Sequence, residues 1–320
     1  MAISERVFGS FRRKPKEPRG RLTNLERHET RWGLLFLSPW IIGFLVFILL
    51  PTLATLVFSF TDFNILHVED TRFIWFDNYT RMLNDPIVTQ SLVRTLKFFV
   101  MAFPLAIIIP IAISALLNSE NLRFRRLFAT LFYMPYMVPL VSAVLIWGGF
   151  LNPATGWMNK FLGSIGIQGP DWLQSTTWVY WALLIVGLWS NGNAIITTLA
   201  GMESVPRELF EAAKIEGAGA IATFMNVTLP MVSPIIFYNL TLASIGLFQY
   251  FLEPYVLFAQ AGDPGGSTLF YPMYLFQNFF QFQEMAYGAS LAWVLFLIIL
   301  AFTAVWFGLR RFWVYEAERE

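Results

Sequence analysis

The sequence predicts an all-α membrane protein with six transmembrane helices. Only 13% of the 320 residues are charged and 56% are hydrophobic, whereas soluble domains contain about 25% charged residues. The charges are also segregated, because six stretches contain no Asp, Glu, Lys or Arg. Each stretch is longer than the ~20 residues that a helix needs to cross the hydrocarbon core. They lie between Arg31 and Asp62, Lys97 and Glu120, Arg126 and Lys160, Asp171 and Glu203, Glu216 and Glu253, and Glu284 and Arg310.

The six spans are predicted at residues 34–60, 94–117, 127–150, 178–200, 232–256 and 287–309. The segment between Asp263 and Glu284 is also uncharged, but it contains two Pro, two Gly and four Gln or Asn residues. Such a composition favours an external loop with short aromatic helices over a seventh span. A seventh span would also move the C-terminal arginines to the outside.

Lysine and arginine cluster on one side of this topology. Residues 1–31 contain nine of the 22 Lys and Arg residues, and the second connection, the fourth connection and the C-terminus hold most of the others. An excess of cations in short loops is typical of the cytoplasmic side, so both termini are predicted to be cytoplasmic. The chain divides into a basic cytoplasmic tail (1–31), a transmembrane domain (32–315) and a C-terminal tail (316–320).

The composition offers no catalytic, metal or cofactor site. Cysteine is absent, which excludes a thiolate nucleophile and a Cys-based metal site. The sequence contains no Gly-Lys pair, and therefore no phosphate-binding loop of the G-x-x-x-x-G-K-[ST] type. The two histidines, His28 and His67, lie outside the predicted spans.

The fourth connection contains a short amphipathic segment. Glu208 and Glu211 come early in this segment, where a helix dipole favours anions, and Ala212 and Ala213 lie on a small apolar face. Gly217 then ends the predicted helix. A helix this short is not stable alone, so its alanine face requires a partner. That partner is either another protein or the bundle to which the helix belongs.

The spacing in this connection resembles the EAA loop of binding-protein-dependent ABC importer permeases. Glu211-Ala212-Ala213 is followed after three residues by Gly217, after nine more by Val227, and after one more by Leu229-Pro230. Val227 stands where Ile is usual. The segments Arg31–Leu34, Ser38–Trp40, Arg125–Phe128, Gly156–Asn159 and Gly262–Gly266 resemble carbohydrate-type members, above all the first permease of the maltose-type and glycerol-3-phosphate-type pairs.

The resemblance implies a type I ABC importer permease fold in the bacterial inner membrane, and a chain that is not an enzyme. It implies a sugar or oligosaccharide cargo delivered by an extracytoplasmic solute-binding protein. The implied partners are a second homologous permease, two ATPase subunits that hold ATP and Mg, and membrane lipid, but no nucleic acid. Within a cytoplasmic coupling loop at 201–231, the ATPase-coupling residues are Glu208, Glu211, Ala212, Ala213, Gly217, Leu229 and Pro230.

Two alternatives remain open at this point. The same architecture can import a polyol phosphate, an amino acid or another small solute. A membrane-embedded transferase is the remote alternative, and it requires clustered Asp, His or Glu at a membrane face, where the cytoplasmic side offers only the carboxylates of the loop 201–231.

Polar residues follow one face of the fourth and fifth spans, where they either line a cavity or pack helices together. Packing is as good an interpretation as a cavity for Ser190, Thr197 and Asn239. In related permeases the corresponding stretches line the sugar site. The resemblance therefore implies substrate contacts from Asn191, Asn193, Gln249 and Tyr250. Glu253 is a further candidate, because a carboxylate that faces lipid is untenable and a cavity is therefore favoured for Gln249 with Glu253. Gln249 and Glu253 are four residues apart, which predicts one shared helical face.

Overall fold

The computed structural model describes residues 24–119, 121–258 and 262–315, and within these ranges the chain is helical with a single isolated β-bridge between Thr61 and Phe73. Most of the basic tail (residues 1–23) and the C-terminal tail (316–320) lie outside the described residues. The α-helices are α1 (Asn24–Phe44), α2 (Leu50–Phe58), α3 (Asp77–Asn84), α4 (Pro86–Leu117), α5 (Arg125–Tyr133), α6 (Leu140–Phe150), α7 (Trp157–Ser164), α8 (Trp178–Trp189), α9 (Gly192–Glu203), α10 (Arg207–Ile215), α11 (Ala220–Thr223), α12 (Leu229–Phe248), α13 (Leu252–Leu257), α14 (Tyr271–Phe276) and α15 (Met285–Leu309).

Four helical segments are long and apolar enough to cross a membrane, and the number reaches the predicted six when each of two bent helix pairs is counted as one span. The four are continuous or nearly so: His28–Phe58, Pro86–Leu117, Ala220–Leu257 and Met285–Phe312. The other two are bent pairs: α5 with the 3₁₀ turn Met134–Met137 meets α6 at 99°, and α8 meets α9 at 48°. The uncharged segment before Glu284 forms only α14 and the π-turn Gln277–Gln281, which is too short to cross a bilayer.

The described residues divide into two units, one that ends at Ala54 and one that begins at Thr55. In the described part of the first unit no side chain from residue 28 onward is buried, and Phe36 and Phe47 are almost fully exposed. An apolar helix of this length needs an apolar environment, such as the lipid bilayer.

The core of the second unit is built around α4, which packs against α9 and α12. One buried cluster joins Phe99 of α4 to Phe248, Tyr271 and Leu291, and another joins Phe98 to α8 and to Phe270. Because α4 contributes to both clusters, it holds the fourth, fifth and sixth spans together.

Proline explains the first bend, and glycine permits close packing at the second. Pro135 and Pro139 flank the break between α5 and α6, where a proline ring and its missing N–H prevent a continuous helix. At the second bend, Gly192 begins α9 directly beside α5. A Cβ at Gly192 would lie 2.6 Å from the carbonyl oxygen of Phe132, so only glycine permits this close approach.

Asp85 links three elements at the start of α4. Its Oδ1 accepts a hydrogen bond from the Ile87 N–H at 2.9 Å, which caps the helix. Its Oδ2 accepts hydrogen bonds from the hydroxyls of Tyr274 at 2.6 Å and Tyr287 at 2.9 Å. Burial acts to raise the pKa of Asp85, but these hydrogen bonds outweigh it and hold the pKa below its usual value of 3.8.

Replacing Asp85 by alanine is expected to destabilise the chain by about 0.5–2 kcal/mol through loss of the cap alone. The folded-state pKa is lowered, so the carboxylate stabilises the fold fully above about pH 3.8 and loses this effect as the pH falls through the folded-state pKa. Thermal unfolding in detergent against pH measures both effects. If Asp85→Ala matches the exposed control Asp77→Ala at neutral pH, the capping role is wrong.

Candidate functional site

The loop 201–231 folds into one short helix outside the spans, α10, and then into the first turns of the fifth span. It contains α10, α11 and the π-turn Phe224–Thr228, which continues into α12. Glu208 lies in the first turn of α10 and Lys214 in its last turn, so both charges complement the helix dipole. Pro206 occupies the N-cap position, where the missing N–H costs no helical hydrogen bond.

Gly217 ends α10 in a left-handed conformation, with a φ of 78°. The Ala218 N–H donates to the Ala213 carbonyl at 2.9 Å, and the Gly217 N–H donates to the Lys214 carbonyl at 3.1 Å. This pair of bonds is the Schellman arrangement, in which a residue with positive φ follows the helix. The predicted requirement for glycine at this turn therefore has a direct backbone cause.

The two alanines of α10, predicted on one face, have different surroundings. Ala213 is buried, whereas Ala212 is exposed. Phe210 packs beside Met202, Val205 and Val232 in the cluster under the loop, and Ala213 follows it by three residues on the same side. Ala213 therefore seats the helix on its own bundle. Glu208, Glu211, Gly217 and Pro230 are exposed, and Leu229 packs against the same cluster.

The loop also exposes two isoleucines that the sequence analysis did not identify as candidate site residues. Ile215 is 87% exposed and Ile221 is 81% exposed, one on each side of Gly217. The exposure of Ile215 could have been predicted from the helical period. A residue two positions after Ala213 lies about 200° away from it around a helix with 3.6 residues per turn. Once Ala213 faces inward, Ile215 must face outward.

A cavity of about 270 Å³ lies where the fourth and fifth spans break, opposite α4. Most of its wall is apolar or glycine, and Asn191, Tyr250 and Glu253 are the polar residues that line it. The full lining consists of Phe98, Ala102, Ala106, Leu183, Leu184, Gly187, Leu188, Asn191, Ala243, Gly246, Leu247, Tyr250 and Glu253.

The polar lining residues are held by backbone contacts. Asn191, at the bend between α8 and α9, donates from Nδ2 to the Ala106 carbonyl at 3.1 Å. The Tyr250 hydroxyl donates to the Leu183 carbonyl at 3.2 Å, and its ring centroid lies 4.7 Å from that of Phe98. Both side chains are thus fixed at the wall before any ligand enters. Glu253 is the sole charged residue among the thirteen that line the cavity.

Gln249 and Glu253 do not share a helical face, contrary to the prediction. α12 ends at Phe248, Gln249 is its exposed C-cap, and α13 begins at Leu252. Pro254 explains the break, because in a continuous helix its ring would clash with the carbonyl of Tyr250 and its nitrogen could not donate. Gln249 and Asn193 both lie outside the cavity lining.

Asn239 joins two helices. Its Nδ2 donates to the Thr198 Oγ1 at 3.0 Å, and its Oδ1 accepts from the Thr197 Oγ1 at 3.2 Å. Asn239 is buried between α12 and α9, away from the cavity lining. Of the two interpretations left open for Thr197 and Asn239, the contacts are those of helix packing.

Asn239→Leu is expected to destabilise the folded chain by roughly 0.6–1.7 kcal/mol, from the average to the largest value measured for hydrogen bonds between membrane helices. Transport per assembled complex should not change, because the side chain does not line the cavity. Thermal unfolding in detergent tests the loss of stability, and uptake normalised to assembled complex tests the unchanged transport. The control is Tyr238→Leu, which alters an exposed neighbour on the same helix. A loss of normalised transport without a loss of stability would contradict the packing role.

The chain is similar to known proteins over most of its length. The family described as binding-protein-dependent transport system inner membrane component matches residues 107–312. The probable ABC transporter permease protein YesP of Bacillus subtilis is 33% identical over 297 residues, which cover 92% of this chain and 95% of that protein. The arabinooligosaccharides transport system permease protein AraP of the same organism is 33% identical, covering 85% of this chain and 86% of its own.

The fold is also that of a solved transporter. A chain in the crystal structure of a bacterial ABC transporter that imports the acidic polysaccharide alginate superposes with a TM-score of 0.78, covering 90% of this chain and 99% of that one, at 21% sequence identity. The family match agrees with the six helical spans and with the EAA-type loop between the fourth and the fifth span. The chain belongs to the binding-protein-dependent transport system inner membrane components, and it is a multi-pass inner-membrane ABC importer permease rather than an enzyme.

Proposed function

We propose that this permease carries a neutral sugar or oligosaccharide, delivered by an extracytoplasmic solute-binding protein, through a path that includes the cavity at Asn191, Tyr250 and Glu253. A second permease subunit completes the path, and two ATPase subunits hold ATP and Mg. The observation that carries the proposal is the cavity itself, in which an amide, a phenol and a carboxyl group project from a wall of aromatic and aliphatic side chains.

The chemistry of the lining favours a sugar. Sugars present hydroxyl groups around an apolar ring, so they require hydrogen-bonding partners beside an aromatic surface. Asn191 and Tyr250 provide such partners, and Tyr250 and Phe98 provide the aromatic surface. The volume of 270 Å³ is just below the ~300 Å³ lower limit of ordinary ligand pockets, which fits one sugar unit with the rest of the site on the second permease.

A polyol phosphate fits the lining less well. A buried anion requires an opposite charge or several hydrogen-bond donors. The thirteen lining residues include no Lys or Arg, and their single charged group is the Glu253 carboxyl. The relative AraP, named for arabinooligosaccharides, supports the carbohydrate assignment.

Uptake by a strain that lacks this gene, with and without the gene restored, tests the proposal. Labelled arabino-oligosaccharides and maltodextrins are compared with glycerol 3-phosphate and an amino acid mixture. We expect restored uptake of a neutral sugar. Restored uptake of the phosphate or of an amino acid, with no sugar transported, would exclude the proposed cargo.

We infer that the loop 201–231 docks on an ATPase subunit. Glu208, Glu211 and Ala212 form the exposed side of α10, and Gly217 sets the turn after it. Ile215 and Ile221 add exposed apolar area on both sides of this turn, and exposed apolar patches are characteristic of protein interfaces. Ala213 and Leu229 position the loop on the bundle rather than contact the partner, whereas Pro230 is exposed at the start of α12.

Single cysteines in a chain without cysteine test this surface. In the isolated permease, Ile215→Cys and Ile221→Cys should react with a maleimide, and assembly with the ATPase should slow the reaction about tenfold or more. Ala213→Cys is the matched control, since its burial should keep it unreactive in both states. Equal labelling of Ile215→Cys before and after assembly would show that this side of the loop does not dock.

A further inference from the structure

Two cations on α4 lack an acidic partner. Arg94 and Lys97 are three residues apart, so they lie on neighbouring turns where like charges destabilise a helix. Within residues 24–119, 121–258 and 262–315, no carboxylate lies within 4.0 Å of either cation. Arg94 donates to the Gln90 Oε1 at 3.2 Å, which leaves most of its guanidinium donors unused by that bond.

Lys97 contacts an aromatic residue that is bonded to the loop beside Arg94. The Lys97 ammonium lies 4.5 Å from the ring centroid of Tyr180, whose hydroxyl donates to the Ser267 carbonyl at 2.9 Å. A Cβ at Gly266 would lie 3.5 Å from the Arg94 Nη2, so the guanidinium faces the same loop. The side chains are therefore held together on one side of the bundle rather than dispersed.

The helix length places this pair at an edge of the hydrocarbon layer. α4 contains 32 residues, more than the ~20 that cross the core at 1.5 Å per residue. Counting about 20 residues back from Leu117, the end of α4 that is predicted to be cytoplasmic, reaches Phe98, the residue after Lys97. The two cations thus lie at headgroup depth on the side predicted to be external.

The surface around Lys97 has the character of a lipid-facing surface. Val93 and Val100, one turn before and one turn after Lys97, are 58% and 69% exposed. At the start of the adjoining α8, Trp178 and Trp181 are exposed, and tryptophan is enriched at membrane interfaces. A long cationic side chain between apolar residues at this depth extends its charge to the headgroup region.

We propose that Arg94 and Lys97 bind the phosphate of an anionic phospholipid, such as phosphatidylglycerol, at the external interface. The ligand chemistry is a phosphate monoanion, which both cations attract and which the guanidinium can bind through two hydrogen bonds. Val100, on the hydrocarbon side of Lys97, is exposed and can contact the acyl chains, which favours a lipid over free phosphate. The site is separate from the transport cavity and does not depend on the identity of the cargo.

The test measures lipid retention by the full-length chain purified in a neutral detergent. Phosphatidylglycerol that remains bound after delipidation is counted by native mass spectrometry, with phosphatidylcholine as the neutral comparison. We expect the double variant Arg94→Gln with Lys97→Gln to retain at least fivefold less phosphatidylglycerol than the parent. The double variant Arg72→Gln with Lys160→Gln removes the same charge from the same predicted side and should retain it as the parent does.

Further measurements distinguish bound lipid from free phosphate and control for misfolding. Lys97→Arg with Arg94→Lys, which keeps both charges, should preserve retention if charge is the cause. Millimolar inorganic phosphate should not displace the lipid. Equal loss in both glutamine double variants, or displacement by inorganic phosphate, overturns the proposal. Unchanged lipid retention in Arg94→Gln with Lys97→Gln, together with weaker binding of the solute-binding protein, overturns it as well and assigns the pair to a protein contact.

Discussion

Replacing Gly217 by valine is expected to reduce ATP-driven transport at least tenfold without reducing the amount of folded permease. The φ of 78° at Gly217 lies in the left-handed region, where a residue with a Cβ is destabilised by about 1–2 kcal/mol and a β-branched residue by more. A free-energy change of about 1.4 kcal/mol corresponds to a factor of ten. The turn would relax to another conformation and move Ile215 and Ile221 away from their docking position.

Gly219→Val is the matched control for this effect. Gly219 has an ordinary φ of −73°, and a Cβ at either glycine would meet nothing within 4 Å. The two variants therefore add the same side chain to open space two residues apart and differ only in backbone conformation. Gly217→Asn should be milder than Gly217→Val, because asparagine tolerates the left-handed region. ATPase activity and uptake in proteoliposomes measure coupling, and equal effects of Gly217→Val and Gly219→Val would refute the backbone explanation.

Glu253→Leu is expected to lower uptake per assembled complex about tenfold or more. The substitution removes the carboxyl group from the cavity lining, and a sugar hydroxyl left without a partner in a dry site costs about 1–3 kcal/mol. Glu253→Gln retains hydrogen-bonding groups of the same size, so for a neutral sugar it should lose much less. Comparing Glu253→Leu with Glu253→Gln shows whether transport requires a hydrogen bond or a negative charge at this position.

Gln249→Leu provides the comparison outside the cavity. Gln249 is exposed at the end of α12 and does not line the cavity, so its replacement should change uptake less than twofold. Uptake must be normalised to assembled complex, because a folding defect also lowers total transport. If Gln249→Leu abolishes uptake while Glu253→Leu leaves it intact, the substrate path does not pass through this cavity.

The cavity and the loop 201–231 are connected by two helices. α9 begins next to Asn191, a lining residue, and ends at Glu203, just before α10. α12 begins at Leu229, at the end of the loop, and ends at Phe248, two residues before Tyr250. Asn239, bonded to Thr197 and Thr198, ties these helices to each other. A displacement of the loop by a docked ATPase must therefore move the cavity wall unless the helices bend.

The sequence by itself determined the number of spans, the position of the loop and the class of protein. Charge-free stretches longer than about 20 residues require a membrane, and this depends on composition along the chain rather than on packing. The glycine at 217 was also readable locally, because glycine directly after a helical segment commonly ends the helix in the left-handed conformation. Arg207–Ile215 and Gly217 accordingly occur where the pattern predicts them.

Only the tertiary structure decided which side of each helix faces a cavity, a neighbour or lipid. A helix that is apolar all round has no hydrophobic stripe from which its orientation can be read, and α12 and α15 are helices of this kind. Asn239 became a packing residue because α9 lies against it, and Ala213 became buried because the bundle lies beneath α10. Pro254 in the sequence already indicated that Glu253 and Gln249 are not on one continuous helix. The cavity that Glu253 lines, however, exists only because α4, α8 and α12 meet around it.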